Sequence, residues 1–268
     1  MVEDIRPLYQ DAALYDLLNP KQDDLPFWAE ACRRYQPSAV LELAVGTGRV
    51  AIPLARQGVE QGFSVTGLDI TTEMLARAKE KLVTEPPEVR AALTLVEGDI
   101  RLHRFERRFN LAFIAFNAIL HLLNLEDRLG AFGCAHDNLA HGGRLIVDVF
   151  SFSPSVLVLA QAQEPVARLE LVQDVEAGEL GQRLVRSIAQ RYDETTQTMR
   201  GQGFVETYRQ GRSQSKRVED VACHIYFPEE LRLLLLQSGF TVESAFGDYD
   251  WSPYAAGSPR MIYVGRRE

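Results

Sequence analysis

The most constraining feature of this chain is a short apolar run that breaks into glycine. Ala39-Val40-Leu41-Glu42-Leu43 reads as a buried strand, Ala44-Val45-Gly46-Thr47-Gly48 as a turn, and the residues on to about Gln57 as a helix. Gly46-Thr47-Gly48-Arg49-Val50-Ala51 fits G-x-G-x-x-G/A, in which glycines let the backbone approach a ligand at the mouth of a parallel sheet. Pro53 fits that helix only near its first turn, where backbone N–H groups have no internal partner. Alone, the pattern serves a nicotinamide-cofactor domain equally well.

The surrounding sequence extends the α/β pattern. Strand-like runs recur at Phe63 to Leu68, Leu93 to Val96, Leu111 to Ala115 and, after Gly142-Gly143, Arg144 to Val149. Thr71 and Thr72 are N-cap types ahead of the helix that follows the second strand. After Phe150 the texture changes. Leu184, Arg186, Ile188, Gln190 and Tyr192 share one face at period two, and turn clusters at Glu176 to Gly181, Asp193 to Thr196 and Gly211 divide the segment into about four antiparallel strands. Pro228-Glu229-Glu230 then opens a helix with Leu231, Leu234 and Leu235 on one face, followed by strands at Thr241 to Ala245 and Met261 to Val264. The expected organisation is an α/β domain over 1–150 and 228–268, with a β-rich cap inserted at 151–227.

Charge narrows the partners. Lys plus Arg is 29 against 37 Asp plus Glu, a formal net charge of −8, which opposes the broad basic face that nucleic acid requires. The greasy segment Leu111 to Leu125 is broken by Asn117, His121 and Asn124 and is too short to span a bilayer. Cys32, Cys134 and Cys223 are scattered, with no C-x-x-C spacing, as in reduced core thiols. The first residues show no signal peptide. The expectation is a cytoplasmic protein with a small-molecule partner, no nucleic acid and no membrane, and a homo-oligomer is left open.

Three acids separate the cofactor readings. Glu42 stands near the end of the first strand, where a dinucleotide domain usually carries an apolar residue, and a semi-buried carboxylate there needs a cation such as an amino-acid ammonium. Asp69 ends the second strand at the position that accepts hydrogen bonds from ribose hydroxyls. Asp99 ends the third, placed to accept from the exocyclic amine of an adenine. Ammonium, ribose and adenine are, in that order, the polar parts of S-adenosylmethionine.

With Val40 to Arg49, Phe63 to Asp69 followed by Met74-Leu75, and Glu97-Gly98-Asp99-Ile100, the chain resembles the class I S-adenosylmethionine-dependent methyltransferases. The resemblance covers about residues 8 to 150 and 228 to 268. It implies a Rossmann-like, mostly parallel seven-stranded sheet whose last strand runs antiparallel. Ala44 replaces the first glycine of the family's commonest loop, as it does in glycine N-methyltransferases. Expected cofactor residues around the loop are Glu42, Ala44, Gly46, Thr47, Gly48 and Arg49. Beyond it they are Asp69, Ile70, Met74, Asp99, Ile100 and Phe116. Tyr15-Asp16 is similar to the Tyr-Asp whose helix folds over the methionine end of the cofactor in this group. Tyr15 is therefore a candidate to face the sulfonium, or else an apolar anchor.

Asn117 and His121 are four apart, so a helix starting there puts both on one face toward the sheet mouth, where they are expected to meet the acceptor. His121 is a candidate base, because its ordinary pKa suits proton transfer at neutral pH. It resembles the His at this point in aminosugar N,N-dimethyltransferases. A helix histidine bonded to a carbonyl is the alternative. The Asn/Asp-Pro-Pro-aromatic signature of base-amine methylation is missing. Trp28 reads as core, and Arg101, Arg104, Arg107 and Arg108 read as a solvated loop face. His136 and His141 have no third ligand, so no metal is expected. A β-rich insertion also occurs in glycine and aminosugar N-methyltransferases. The expectation is direct in-line methyl transfer to a small molecule, at nitrogen, with S-adenosylhomocysteine as product. The alternatives are an oxygen or carbon acceptor, a nicotinamide-dependent oxidoreductase, or a non-catalytic protein of this fold.

Overall fold

The computed structural model describes residues 9–20, 22–152, 170–177 and 182–268. The chain divides into two compact units, Lys21–Ser151 with Tyr226–Glu268, and Met1–Pro20 with Phe152–Ile225.

In the first unit, strands β1 (Ala39–Leu43), β2 (Ser64–Asp69), β3 (Leu93–Glu97), β4 (Phe109–Ile114) and β5 (Leu139–Phe150) pair in parallel. Two further strands, here β10 (Phe240–Phe246) and β11 (Arg260–Arg267), extend the edge beyond β5. The order is β10-β11-β5-β4-β1-β2-β3, with β11 antiparallel to both neighbours. This is the seven-stranded α/β arrangement expected from the sequence. Helices α2 (Leu25–Tyr35), α3 (Ala51–Gln61), α4 (Thr72–Val83), α5 (Pro87–Ala92), α6 (Leu125–Asn138) and α7 (Pro228–Gln237) connect the strands. Pro53 lies in the first turn of α3, the position it requires. Every residue of β1 is buried, and its valine and leucine side chains each contribute about 1.5–3 kcal/mol when fully removed from water. Trp28 of α2 is buried and stacks on Phe113 of β4, with ring centroids 4.5 Å apart. The Gly142-Gly143 turn lies inside β5, as an irregularity where the β4 register shifts.

The second unit is a four-stranded antiparallel meander, β6 (Glu170–Ala177), β7 (Gln182–Asp193), β8 (Thr198–Arg209) and β9 (Arg212–His224) in that order. Gln210 and Gly211, both at positive φ, make the tight turn between β8 and β9. Helix α1 (Ala12–Leu18) belongs here and not with the α/β unit to which the sequence reading gave it. The reason is apolar packing: Leu14 and Leu18 bury against Leu184 of β7 and Val205 of β8. Tyr15 is half-buried on α1, edge-on to Tyr9 at 5.8 Å. Among the described residues no helix is long and apolar enough to cross a membrane.

Candidate active site

β1 is the centre of the site because the sheet order reverses beside it. β2 and β3 continue to one side, whereas β4 and β5 lie on the other, and ligands of open α/β sheets bind at the carboxyl ends of strands at such a switch point. The turn after β1 folds back onto β2. Val45 donates its N–H to the Leu68 carbonyl at 2.9 Å, and Gly48 donates to the Val45 carbonyl at 3.0 Å. This close approach needs Gly67, where a Cβ would stand 2.6 Å from Val45 Cγ2. Ala44, Gly46 and Gly48 all have positive φ, at 63°, 55° and 76°. A Cβ on Gly48 would meet Ile52 Cδ1 at 3.1 Å and Ala78 Cβ at 3.4 Å. Its bareness therefore serves packing between α3 and α4 as well as backbone conformation, beyond the ligand approach expected of it. Met74 is buried, its Cε 3.6 Å from where a Cβ on Gly46 would stand.

The three expected acids cluster at the carboxyl ends of neighbouring strands, Glu42 next to last in β1, Asp69 last in β2 and Asp99 two residues past β3, with different surroundings. Glu42 is buried, and its Oε2 has no hydrogen-bond partner. Burial raises its pKa well above the ordinary glutamate value, against the pull of Arg49 and with a further push from Asp24 and Asp69. Asp69 Oδ2 accepts the Gly46 N–H at 2.7 Å, and Oδ1 accepts the Thr71 N–H at 2.9 Å. Burial raises its pKa too, opposed by those same bonds. Asp99 is held by Arg101, whose Nε lies 2.9 Å from both carboxylate oxygens and whose Nη1 reaches Asp127 at 2.7 Å. For Asp99 the upward push of burial is outweighed by the Arg101 bonds, so its pKa falls. Arg101 is thus a largely buried ion-pair partner, where the sequence suggested a solvated loop arginine. Its neighbours Arg104, Arg107 and Arg108 bond to Asp137, Ser64 and the Phe105 carbonyl. Ile70 and Ile100 lie immediately after Asp69 and Asp99, exposed and half-buried respectively.

Arg49 extends the site in a direction the sequence did not indicate. Its guanidinium forms a bidentate pair with buried Asp24, at 2.5 and 2.8 Å, and Asp24 also accepts the Trp28 indole N–H at 3.0 Å. The same guanidinium stands 4.6 Å from the Phe116 ring centroid, joining the loop after β1 to the turn after β4. Thr47 is buried within the first of these loops.

The turn after β4 differs from expectation. Phe116 and Asn117 are both left-handed, and the helix that follows, Ala118–His121, is a single 3-10 turn. Residues three apart eclipse in such a turn, so Asn117 and His121 do not share the α-helical face predicted for them. Asn117 is buried, and its Oδ1 accepts the Phe150 N–H at 2.7 Å and Arg260 Nη2 at 3.2 Å. His121 ends the turn half-buried. Missed in the sequence were Asp148 and Arg260, a buried pair at 2.5 Å. A lone aspartate in the apolar run Leu145–Val149 was the available signal.

With this strand order, a loop after β1 and acids at or just past the carboxyl ends of three adjacent strands, the chain shares the fold of solved methyltransferase structures. Within it, residues 40–143 match the family described as Methyltransferase domain. The CcbJ methyltransferase of Streptomyces caelestis is similar at 25% identity, with a TM-score of 0.74, over 92% of this chain and 97% of that one. CalS10 of Micromonospora echinaspora, an amino pentose methyltransferase with S-adenosylmethionine bound, shares the fold at 18% identity and a TM-score of 0.71, over 96% and 95% of the two chains. "Putative methyltransferase YqeM" of Bacillus subtilis is 31% identical over 148 residues, 54% of this chain and 56% of that protein. The chain spans about half the length, or less, of the curated relatives it matches.

The residues present fit the cofactor. The unpartnered Glu42 oxygen lies among two other carboxylates and a single guanidinium, a buried cluster short of positive charge that an ammonium would complete.

Proposed function

We propose that this chain is an S-adenosylmethionine-dependent methyltransferase acting on an amine nitrogen of a small molecule. The observation that carries the reading is Glu42, buried at the switch point with one oxygen lacking a partner. A dinucleotide-binding domain usually carries an apolar residue at that place. When bound, the cofactor would supply an electrophilic methyl carbon for in-line attack by the amine nitrogen, the carbon–sulfur bond breaking as S-adenosylhomocysteine leaves with its electron pair.

The protein's part is orientation, which can supply about 7–11 kcal/mol of a barrier. Glu42 receives the ammonium, and Asp69 accepts from the ribose while holding the loop. Asp99 offers its carboxylate to the adenine amine beside Arg101. His121, at the end of the 3-10 turn, takes the proton that the amine must lose. Nitrogen is favoured because KedS8 of Streptoalloteichus, a sugar N-methyltransferase, shares the fold. The formal charge of −8 also suits a cationic or neutral small acceptor over nucleic acid.

The test is a screen of amines, aminosugar nucleotides, amino acids and phenols for S-adenosylhomocysteine release. Turnover with an amine supports the reading, and turnover with phenols alone moves the acceptor to oxygen. A chain that binds neither S-adenosylmethionine nor S-adenosylhomocysteine is not a methyltransferase.

A further inference from the structure

Phe116 and Asn117 are consecutive, neither is glycine, and their φ values are 53° and 65°. Left-handed backbone at an aromatic residue persists only where its surroundings over-determine it, and such strain concentrates at functional sites.

The surroundings here are a buried polar network. Asp148 of β5 is wholly buried. Its Oδ2 accepts the Phe116 N–H and the Tyr249 O–H, each at 3.0 Å, and its main-chain carbonyl accepts the Asn117 N–H at 3.2 Å. Its Oδ1 takes Arg260 Nε at 2.5 Å, while Arg260 Nη2 donates to Asn117 Oδ1 at 3.2 Å. The Asn117 carbonyl accepts the Leu120 N–H at 2.9 Å within the 3-10 turn, whereas the Phe116 N–H, the Asn117 N–H and the Asn117 side-chain oxygen all bond to β5 or β11. A buried ion pair is seldom the most stabilising occupant of a core, because well-packed apolar residues of similar volume often serve stability as well. What this pair adds is geometry.

The place of the turn says what the geometry serves. Adenine, ribose and amino acid are assigned to the ends of β3, β2 and β1, and β4 is the next strand in that order. Its turn meets the loop after β1 through Arg49 on Phe116. We propose that Asp148 and Arg260 are positioning residues for methyl transfer, holding Phe116 and Asn117 in the turn that bounds the methyl side of the cofactor site. The proposal rests on the methyltransferase reading.

S-adenosylmethionine and S-adenosylhomocysteine share adenine, ribose and amino acid and differ by one methyl group, so the ratio of their affinities reads the β4 side. Arg260→Lys keeps the charge and removes the fork. Tyr249→Phe keeps the ring and removes one donor to Asp148, and it carries the test if Arg260→Lys does not fold. By calorimetry, Arg260→Lys should weaken S-adenosylmethionine by about tenfold, the scale of one lost charge-assisted hydrogen bond, and S-adenosylhomocysteine by less than about threefold. Tyr249→Phe should shift the ratio the same way, by less. A purely structural role would lower the melting temperature and leave the ratio alone. An unchanged ratio in a folded variant, or equal loss of both ligands, overturns the proposal while wild-type binding keeps the methyltransferase reading. A wild type that binds neither compound overturns both.

Discussion

Asp69 accepts the backbone N–H of Gly46 at 2.7 Å, so the carboxylate that ends β2 holds the turn that leaves β1. Its other oxygen accepts the Thr71 N–H at the start of α4. One buried side chain therefore ties together a loop, a strand end and a helix, and the loop conformation is set before any ligand arrives.

Asp69→Ala should consequently do two things. Leaving two backbone donors without their acceptor lowers stability by about 1–3 kcal/mol. Losing the ribose acceptor and the loop anchor together weakens S-adenosylhomocysteine by about tenfold or more. Denaturant unfolding and calorimetry on the same preparation check both. A variant that is less stable yet binds normally would show that Asp69 serves only the loop.

Ala44 has a φ of 63°, in the region that favours glycine. Left-handed backbone costs an alanine about 1–2 kcal/mol, and glycine's extra freedom in the unfolded chain takes back about 0.5–1 kcal/mol. Ala44→Gly should therefore stabilise the chain by up to about 1 kcal/mol, a rise in melting temperature of about 2–4 °C. A thermal melt that falls would show that the alanine methyl packs well enough to outweigh its strain.

Burial raises the Glu42 pKa, so the folded chain without cofactor binds this proton more tightly than the unfolded chain does. Its contribution to stability is greatest at low pH and is lost as pH rises from the ordinary carboxylate range through the raised folded value. An ammonium beside Glu42 reverses the preference. S-adenosylhomocysteine binding should release a proton and strengthen with pH across that window. Calorimetry in two buffers of different ionisation enthalpy measures the proton, and Glu42→Gln should flatten the dependence. An affinity of the wild type that ignores pH would remove Glu42 from the ammonium.

Once an acceptor is known, His121→Ala should lower turnover by about 10²–10⁴-fold, with cofactor affinity nearly constant. A variant that keeps its rate per folded molecule would assign His121 to packing.

Much of the site was readable because local chemistry marked it. The glycine turn, the acids near strand ends and the leucine face of α7 each follow from short-range periodicity and spacing, and β1 spans Ala39–Leu43 as its short run before the turn predicts. Asn117 was legible as a residue of interest but not in its role. The α-helical spacing assumed for Asn117 and His121 gave way to a 3-10 turn, because hydrogen bonds from β5 hold the preceding backbone left-handed.

The sequence by itself determined the alternation of strand and helix, the loop after β1 and the placing of Glu42, Asp69 and Asp99 at strand ends. These are set within a few residues, by sterics, apolar periodicity and turn propensity. Only the tertiary structure decided that Asp24 meets Arg49, that Asp148 meets Arg260 and that α1 packs on the antiparallel sheet. Asp24 and Arg49 are 25 residues apart, and Asp148 and Arg260 are 112 apart. No local preference selects such partners. They are chosen when burial strips water from the charges, so that each carboxylate must take the guanidinium the fold has brought beside it.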